Sequence, residues 1–155
     1  MSTPGSAGAP SLLYLVKRLE LTIRAHLDDM LRGSGVTTPQ YTALTVLIRR
    51  DGISAAQLAR DSFVTPQSMA DMLRPLQQRG LVHRIANPHN RREVLIHLTP
   101  AGRDLVDRYD AAATAIERRM LADLTGPQID AFRDALTSAR SALHPGSARS
   151  EPRPL

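Results

Sequence analysis

RGLVHRIANPHNRREVLIHLTPAGR, residues 79–103, switches its hydrophobic period twice within 25 positions. Leu81, His83 and Ile85 alternate with Val82 and Arg84, and Val94, Ile96 and Leu98 share one face of residues 93–98, so two strands of a hairpin are expected. The connection, about residues 86–92, is polar and basic, contains Pro88 and reads as a loop. Gly80 is a helix stop before the hairpin, and Thr99-Pro100 opens a helix after it. The threonine hydroxyl accepts from an orphan backbone N–H, and proline has no N–H to leave unpaired.

Immediately upstream, AAQLARDSFVTPQSMADMLRPL (55–76) reads as two short helices joined by a tight turn at Ser62-Phe63. The first spans about 55–61, with Ser54 and Gln57 spaced as a capping box. The second follows Thr65-Pro66 and ends near Arg79, with Pro75 expected to kink or weaken its last turn. Leu58, Val64, Met69, Met72 and Leu73 are spaced to hold the pair together, and Ala59 is small where the helices cross. Further out, a helix over about 11–32 is striped by Leu12, Leu15, Leu19, Ile23, Leu27 and Met30. A helix capped by Thr38 contributes Leu44, Leu47 and Ile48 and ends near Asp51-Gly52. A long helix runs from 100 to about 124, and a last one, capped by Gly126 before Pro127, carries Ile129, Phe132, Leu136, Ala139 and Leu143.

The expected fold class is therefore mainly α with a small β-hairpin wing. A winged helix-turn-helix domain (38–99) is flanked by a dimerisation helix and linker (11–37) and by C-terminal dimerisation helices (100–144), with flexible tails at 1–10 and 145–155. The outer helices have apolar stripes but little domain left to bury them. A second copy would cover them, placing Leu12, Leu15, Leu19, Ile116, Met120, Ile129, Phe132, Leu136 and Leu143 at the interface of a twofold homodimer.

The chain has 155 residues and no cysteine, which excludes disulfides, thiolate nucleophiles and thiol redox sensing. Residues 1–10 lack the basic and apolar runs of a signal peptide, and no apolar stretch nears the roughly 18 residues that span a membrane, so a soluble cytoplasmic protein is expected. The sequence contains no G-x-S-x-G, phosphate-binding glycine loop or H-E-x-x-H, and an enzyme is not expected. His26 with Asp29, and His83 with His97, offer only paired ligands where structural metal sites use about four, so neither metal nor cofactor is expected.

Net charge is +5 and is unevenly spread. Residues 79–103 hold five arginines and one glutamate, net +4, whereas 104–143 hold five arginines and seven acids, net −2. A basic segment so focused suits a polyanion, and double-stranded DNA is the expected partner. On the second helix of the pair, Thr65, Pro66, Gln67, Ser68, Asp71 and Arg74 are left on the outer face, whose N-terminal end enters the major groove in helix-turn-helix proteins. Gln67 suits adenine, Ser68 a base or phosphate, and Asp71 either solvent or cytosine N4. Thr38 joins them as a DNA-binding candidate, as do His89, Asn90, Arg91 and Arg92 at the hairpin tip, where arginine suits a neighbouring minor groove. Arg18, His26, Tyr41 and Thr45 are candidates for lining a small-molecule pocket between the lobes.

Leu58-Ala59, Val64-Thr65, Arg79 to Val82, Asn87 to Arg92 and Leu98 to Arg103 together resemble the MarR family of winged-helix regulators, over roughly residues 11–143. The resemblance implies a homodimer with one wing per subunit, bound to a pseudo-palindrome and released by a small, often aromatic or anionic effector. It also implies a role for residue 90 in orienting Arg92. The family usually has aspartate at 87 and 90, and Asn90 can hydrogen-bond there but cannot form an ion pair. The turn at Ser62-Phe63 lacks the glycine often seen there. The expected function is a sequence-specific transcriptional regulator, a repressor of its own or a neighbouring operon. A sequence-tolerant architectural DNA binder and a protein-interaction module are its rivals, and the focused basic segment disfavours the second.

Overall fold

Hydroxyl caps set the helix boundaries. In the computed structural model, which describes residues 8–144, Ser11 accepts from Tyr14 N–H (3.2 Å) and starts α1, Leu12–Leu31. The expected tail segments 1–7 and 145–155 lie outside the described residues. Helix α2, Thr38–Arg49, is capped by Thr37, which corrects the expected Thr38. Thr37 accepts from Gln40 N–H while the Gln40 side chain accepts from Thr37 N–H, a reciprocal box open to Thr37 alone because only it has glutamine three residues on. For the same reason Thr125, paired with Gln128, replaces the expected Gly126 as the cap of α6, Gly126–Leu143.

Ser54 caps α3, Ala55–Asp61, but no reciprocal box forms, because the Gln57 side chain is engaged with Asp61 and Arg60. Thr65 caps α4, Pro66–Gln78, which continues past Pro75 for most of a turn. Gly80 then reverses the chain at φ +68°, a conformation that glycine takes without steric cost. Helix α5, Pro100–Leu121, ends three residues short of the expected boundary. Its cap Thr99 accepts from Gly102 N–H (3.0 Å) and donates to the Gly80 carbonyl (2.5 Å).

The hairpin differs from expectation in length and company. Strands β2, Val82–Asn87, and β3, Asn90–Leu98, extend through most of the expected loop and leave only Pro88 and His89 between them. Near the tip the strands stand away from the core, so both faces are polar and the period-2 signal vanishes. Among the described residues β3 is also the centre of a three-stranded antiparallel sheet: β1, Ile53–Ser54, pairs with Ile96 and Leu95 on its other side. Asp51 reinforces this joint, its carboxylate accepting from Leu98 N–H (2.7 Å) and lying 3.4 Å from His97 Nδ1. His83 and His97 face each other across the hairpin, their rings stacked at 5.3 Å.

Two compact units result, divided between Ile116 and Glu117. In the first, Leu44 and Leu47 of α2, Leu58 of α3, Met69, Leu73 and Leu76 of α4, and Val82 and Ile96 of the sheet are fully buried. Burial at these positions supplies the main driving force for holding the recognition elements together. Ala59, fully buried, lets α3 and α4 cross closely. The N-terminal half of α1 stays outside this core: Leu12 is 79% and Leu13 82% exposed. In the second unit the end of α5 meets α6 through Met120, Leu121, Ile129 and Phe132, while Leu136 and Leu143 remain exposed.

Candidate nucleic-acid interface

The recognition face is built outward from the turn between α3 and α4. The turn is pinned by Ser62 N–H to the Leu58 carbonyl (2.9 Å) and Val64 N–H to the Ala59 carbonyl (3.1 Å). With Met69 and Leu73 buried, helical periodicity turns Gln67, Ser68, Asp71 and Arg74 outward, and all four are exposed together with Thr65 and Pro66. Thr65 accepts from Ser68 N–H (3.1 Å), and the two hydroxyls lie 3.0 Å apart. Gln67 donates to Asp71 (3.3 Å), one turn on. That contact orients the Gln67 amide. Thr38 stands apart in sequence, at the start of α2. Its hydroxyl is committed to Asp28 of α1 at 2.5 Å.

The wing is a stiff extension rather than a loop. Asn87 accepts from His89 N–H (2.9 Å) and donates to Glu93 (2.7 Å), and Asn90 accepts from Arg92 N–H (3.2 Å). The two asparagines thus bend the tip by local side-chain-to-backbone bonds, a role that needs no carboxylate. Asn90 meets the backbone of Arg92, not its guanidinium. Among the described residues, Arg74, Arg84, Arg91 and Arg92 are exposed and form no ion pair, so their charge is free for phosphates. Sheet pairing through β1 and β3 connects these wing cations to α3, and α3 to the recognition helix. Helix α4 and the wing therefore share one scaffold.

The MarR family model matches residues 36–94, the helix-turn-helix and most of the wing. The HTH-type transcriptional repressor Rv2887 of Mycobacterium tuberculosis is 37% identical over 132 residues, covering 85% of this chain and 95% of the relative. This chain belongs to the MarR family. It is a DNA-binding transcriptional regulator of the winged helix-turn-helix type. Among solved structures, a MarR family regulator from Silicibacter pomeroyi superposes with a TM-score of 0.79 at 28% identity, covering 86% of this chain and 90% of that one. Rv2887 in complex with p-aminosalicylic acid gives a TM-score of 0.67 at 35% identity, covering 84% and 99%.

The pocket candidates of this MarR protein lie on α1 (Arg18, His26) and α2 (Tyr41, Thr45). Tyr41 is buried, and burial, with the nearby Asp110 carboxylate, raises its phenol above the ordinary range. Thr45 donates to the Thr42 carbonyl (2.7 Å), His26 is half-buried, and the exposed Arg18 lies 5.7 Å from the centre of the Tyr14 ring. No hydrogen bond joins these four to one another among the described residues. No group of three or more histidine, aspartate or glutamate residues among them is placed to hold a metal, and no described helix is long and apolar enough to cross a membrane.

The sequence reading missed Asp51 and β1. A two-residue strand is too short to show a period, and an aspartate after a helix carries no signal of its partner 47 residues away.

Proposed function

We propose that this MarR protein is a homodimeric cytoplasmic repressor that reads a pseudo-palindromic operator, with α4 in the major groove and the wing along the adjacent minor groove. The observation that carries this is the pairing, on one scaffold, of an exposed capped helix end bearing Gln67 and Ser68 with the unpaired Arg91 and Arg92 of the wing. Thr65, Pro66, Gln67, Ser68, Asp71 and Arg74 form the recognition set, and His89, Asn90, Arg91 and Arg92 the wing set. Thr38, whose hydroxyl donates to Asp28, is the candidate from the start of α2. The domain assignment follows: residues 38–99 bind DNA, and 11–37 and 100–144 supply the dimer surface. Exposed Leu12, Leu15, Met120, Leu136 and Leu143 and the partly covered Leu19, Ile116, Ile129 and Phe132 need a second copy to keep them from water. Two recognition helices about 34 Å apart would then meet successive turns of one duplex face.

The solved complex of Rv2887 with p-aminosalicylic acid favours a small aromatic acid as the effector here too. Arg18 offers positive charge for its carboxylate, and His26, Tyr41 and Thr45 offer polar groups on α1 and α2.

Fluorescence anisotropy with DNA from upstream of the protein's own gene, against scrambled DNA at several salt concentrations, tests the central reading. A preference of about a thousandfold or more is expected. Equal binding with a steep salt slope would mean phosphate contact alone. Adding p-aminosalicylate to the specific complex tests the effector.

A further inference from the structure

Phe63 occupies the turn between α3 and α4, where two observations are out of the ordinary. It is 79% exposed, although it is one of only two phenylalanines in the chain. Its φ is +61°, and among the described residues it is the only non-glycine residue in the left-handed region. A β-carbon is disfavoured there, and glycine would occupy the same backbone freely. An exposed ring at a position that costs the fold free energy needs a reason outside the fold, and strained residues of this kind concentrate at binding sites.

The surroundings fix where the ring can go. On one side Ser62 is 4% exposed, and on the other Val64 packs against the core. Phe63 N–H donates to the Arg60 carbonyl (3.3 Å), so the turn is bonded on both flanks of the residue. The backbone therefore holds the ring outward, away from the protein. Two residues later Thr65 caps α4, the helix whose start is assigned above to the major groove. Two residues span at most about 7 Å of chain, and a phenylalanine side chain reaches several ångströms further.

We infer that Phe63 is a DNA-contacting residue, its ring covering apolar surface of the duplex (a thymine methyl or a deoxyribose) beside the start of the recognition helix. The inference rests on the assignment of α4 to the major groove. Phosphate contacts leave such apolar surface uncovered, and thymine methyls are read by apolar side chains. Continuity with Thr65, Gln67 and Ser68 makes DNA the partner. The ring would extend the reading surface upstream of the helix.

The experiment compares the full-length wild type with Phe63→Gly, Gln67→Ala and Arg92→Ala. The probe is a duplex that the wild type selects from a randomised pool. Phe63→Gly should bind it about tenfold more weakly, the effect of uncovering roughly 60 Å² of apolar surface. Its melting temperature should not fall, since glycine accepts φ +61° and the ring makes no buried contact. A merely structural role for Phe63 would instead lower both. Replacing thymines one at a time by deoxyuridine removes single methyl groups. One replacement that weakens the wild type but not Phe63→Gly identifies a methyl contact, whereas loss on Phe63→Gly with no deoxyuridine effect identifies a sugar contact; both support the inference. Affinity of Phe63→Gly within twofold of wild type, while Gln67→Ala and Arg92→Ala weaken binding, overturns it. If all three variants bind like wild type, the assignment of the DNA face has failed, and the inference with it.

Discussion

Gly102 lies in the first turn of α5, where that helix crosses the start of the wing. A β-carbon built there would collide with the Leu81 carbonyl oxygen and come within 2.7 Å of Leu98 Cδ1. The first obstacle is backbone and cannot rotate away. The Leu81 carbonyl is also held, accepting from Thr99 N–H at 3.1 Å. Gly102→Ala therefore sets two effects against each other. Alanine gains up to about 1 kcal/mol of helix preference. Overpacking costs roughly 1–3 kcal/mol, and displacing the Leu81 carbonyl loses a hydrogen bond worth about 1 kcal/mol. The steric side wins by about 2 kcal/mol, or a fall of roughly 4–8 °C in melting temperature. Circular dichroism at fixed protein concentration measures it, which matters because dimerisation couples stability to concentration. Gly126→Ala is the matched control. No atom lies within 4 Å of its added carbon, so the same change there should leave the melting temperature level or raise it. Faster hydrogen exchange at the Thr99 amide should accompany the loss. If Gly102→Ala melts with or above the wild type, the first turn of α5 has room to spare and does not pin the base of the wing.

Four other outcomes are expected. Arg92→Ala should weaken DNA binding, reduce the salt slope by about 1 and leave the dimer intact by light scattering; unchanged affinity would remove the wing from the mechanism. Gln67→Ala should reduce discrimination between specific and scrambled DNA by about 1–3 kcal/mol, whereas an equal loss on both would make Gln67 a backbone contact. Ser62→Ala should be neutral or raise stability by up to about 1 kcal/mol, because the buried Ser62 Oγ has no partner among the described residues; a clear drop in a chemical denaturation curve would mean that it bonds after all. Tyr41 links pH to stability. Its phenol is raised in the folded state, so that contribution is intact below the ordinary tyrosine range near pH 10 and is lost as pH rises through the folded value. Tyr41→Phe should therefore flatten the alkaline end of the stability profile, and a profile parallel to wild type would refute this.

Where sequence and structure agree, a local chemical rule was at work. Thr65 and Thr99 cap their helices as read, because a hydroxyl before proline leaves few other starts. Thr38 and Gly126 fail as caps for a reason that is itself local: Gln40 and Gln128 stand three residues after Thr37 and Thr125, and the reciprocal box outweighs the position of the proline. The outward set on α4 follows from burial of Met69 and Leu73 at helical spacing. The wing strands are under-read because polar residues on both faces erase alternation. The partners of Asp51 and Thr38 lie in other elements, and no short window of sequence contains both members of either pair. Phe63 was visible only as a missing glycine, and its strain appears once the backbone is placed.

The joining of β1 to β3 also bears on the order in which the domain is made. Residues 38–78 emerge from the ribosome as a run of helices whose contacts are mostly between sequence neighbours, and such contacts form fast. Ile53 and Ser54 wait for Ile96 and Leu95, and Asp51 for the amide of Leu98. Until then the apolar face that Ile96 covers stays open. A chain that ends before residue 95 thus has the helices of the reading head but no strand to cover their core. Closing the last strand of the wing covers that core.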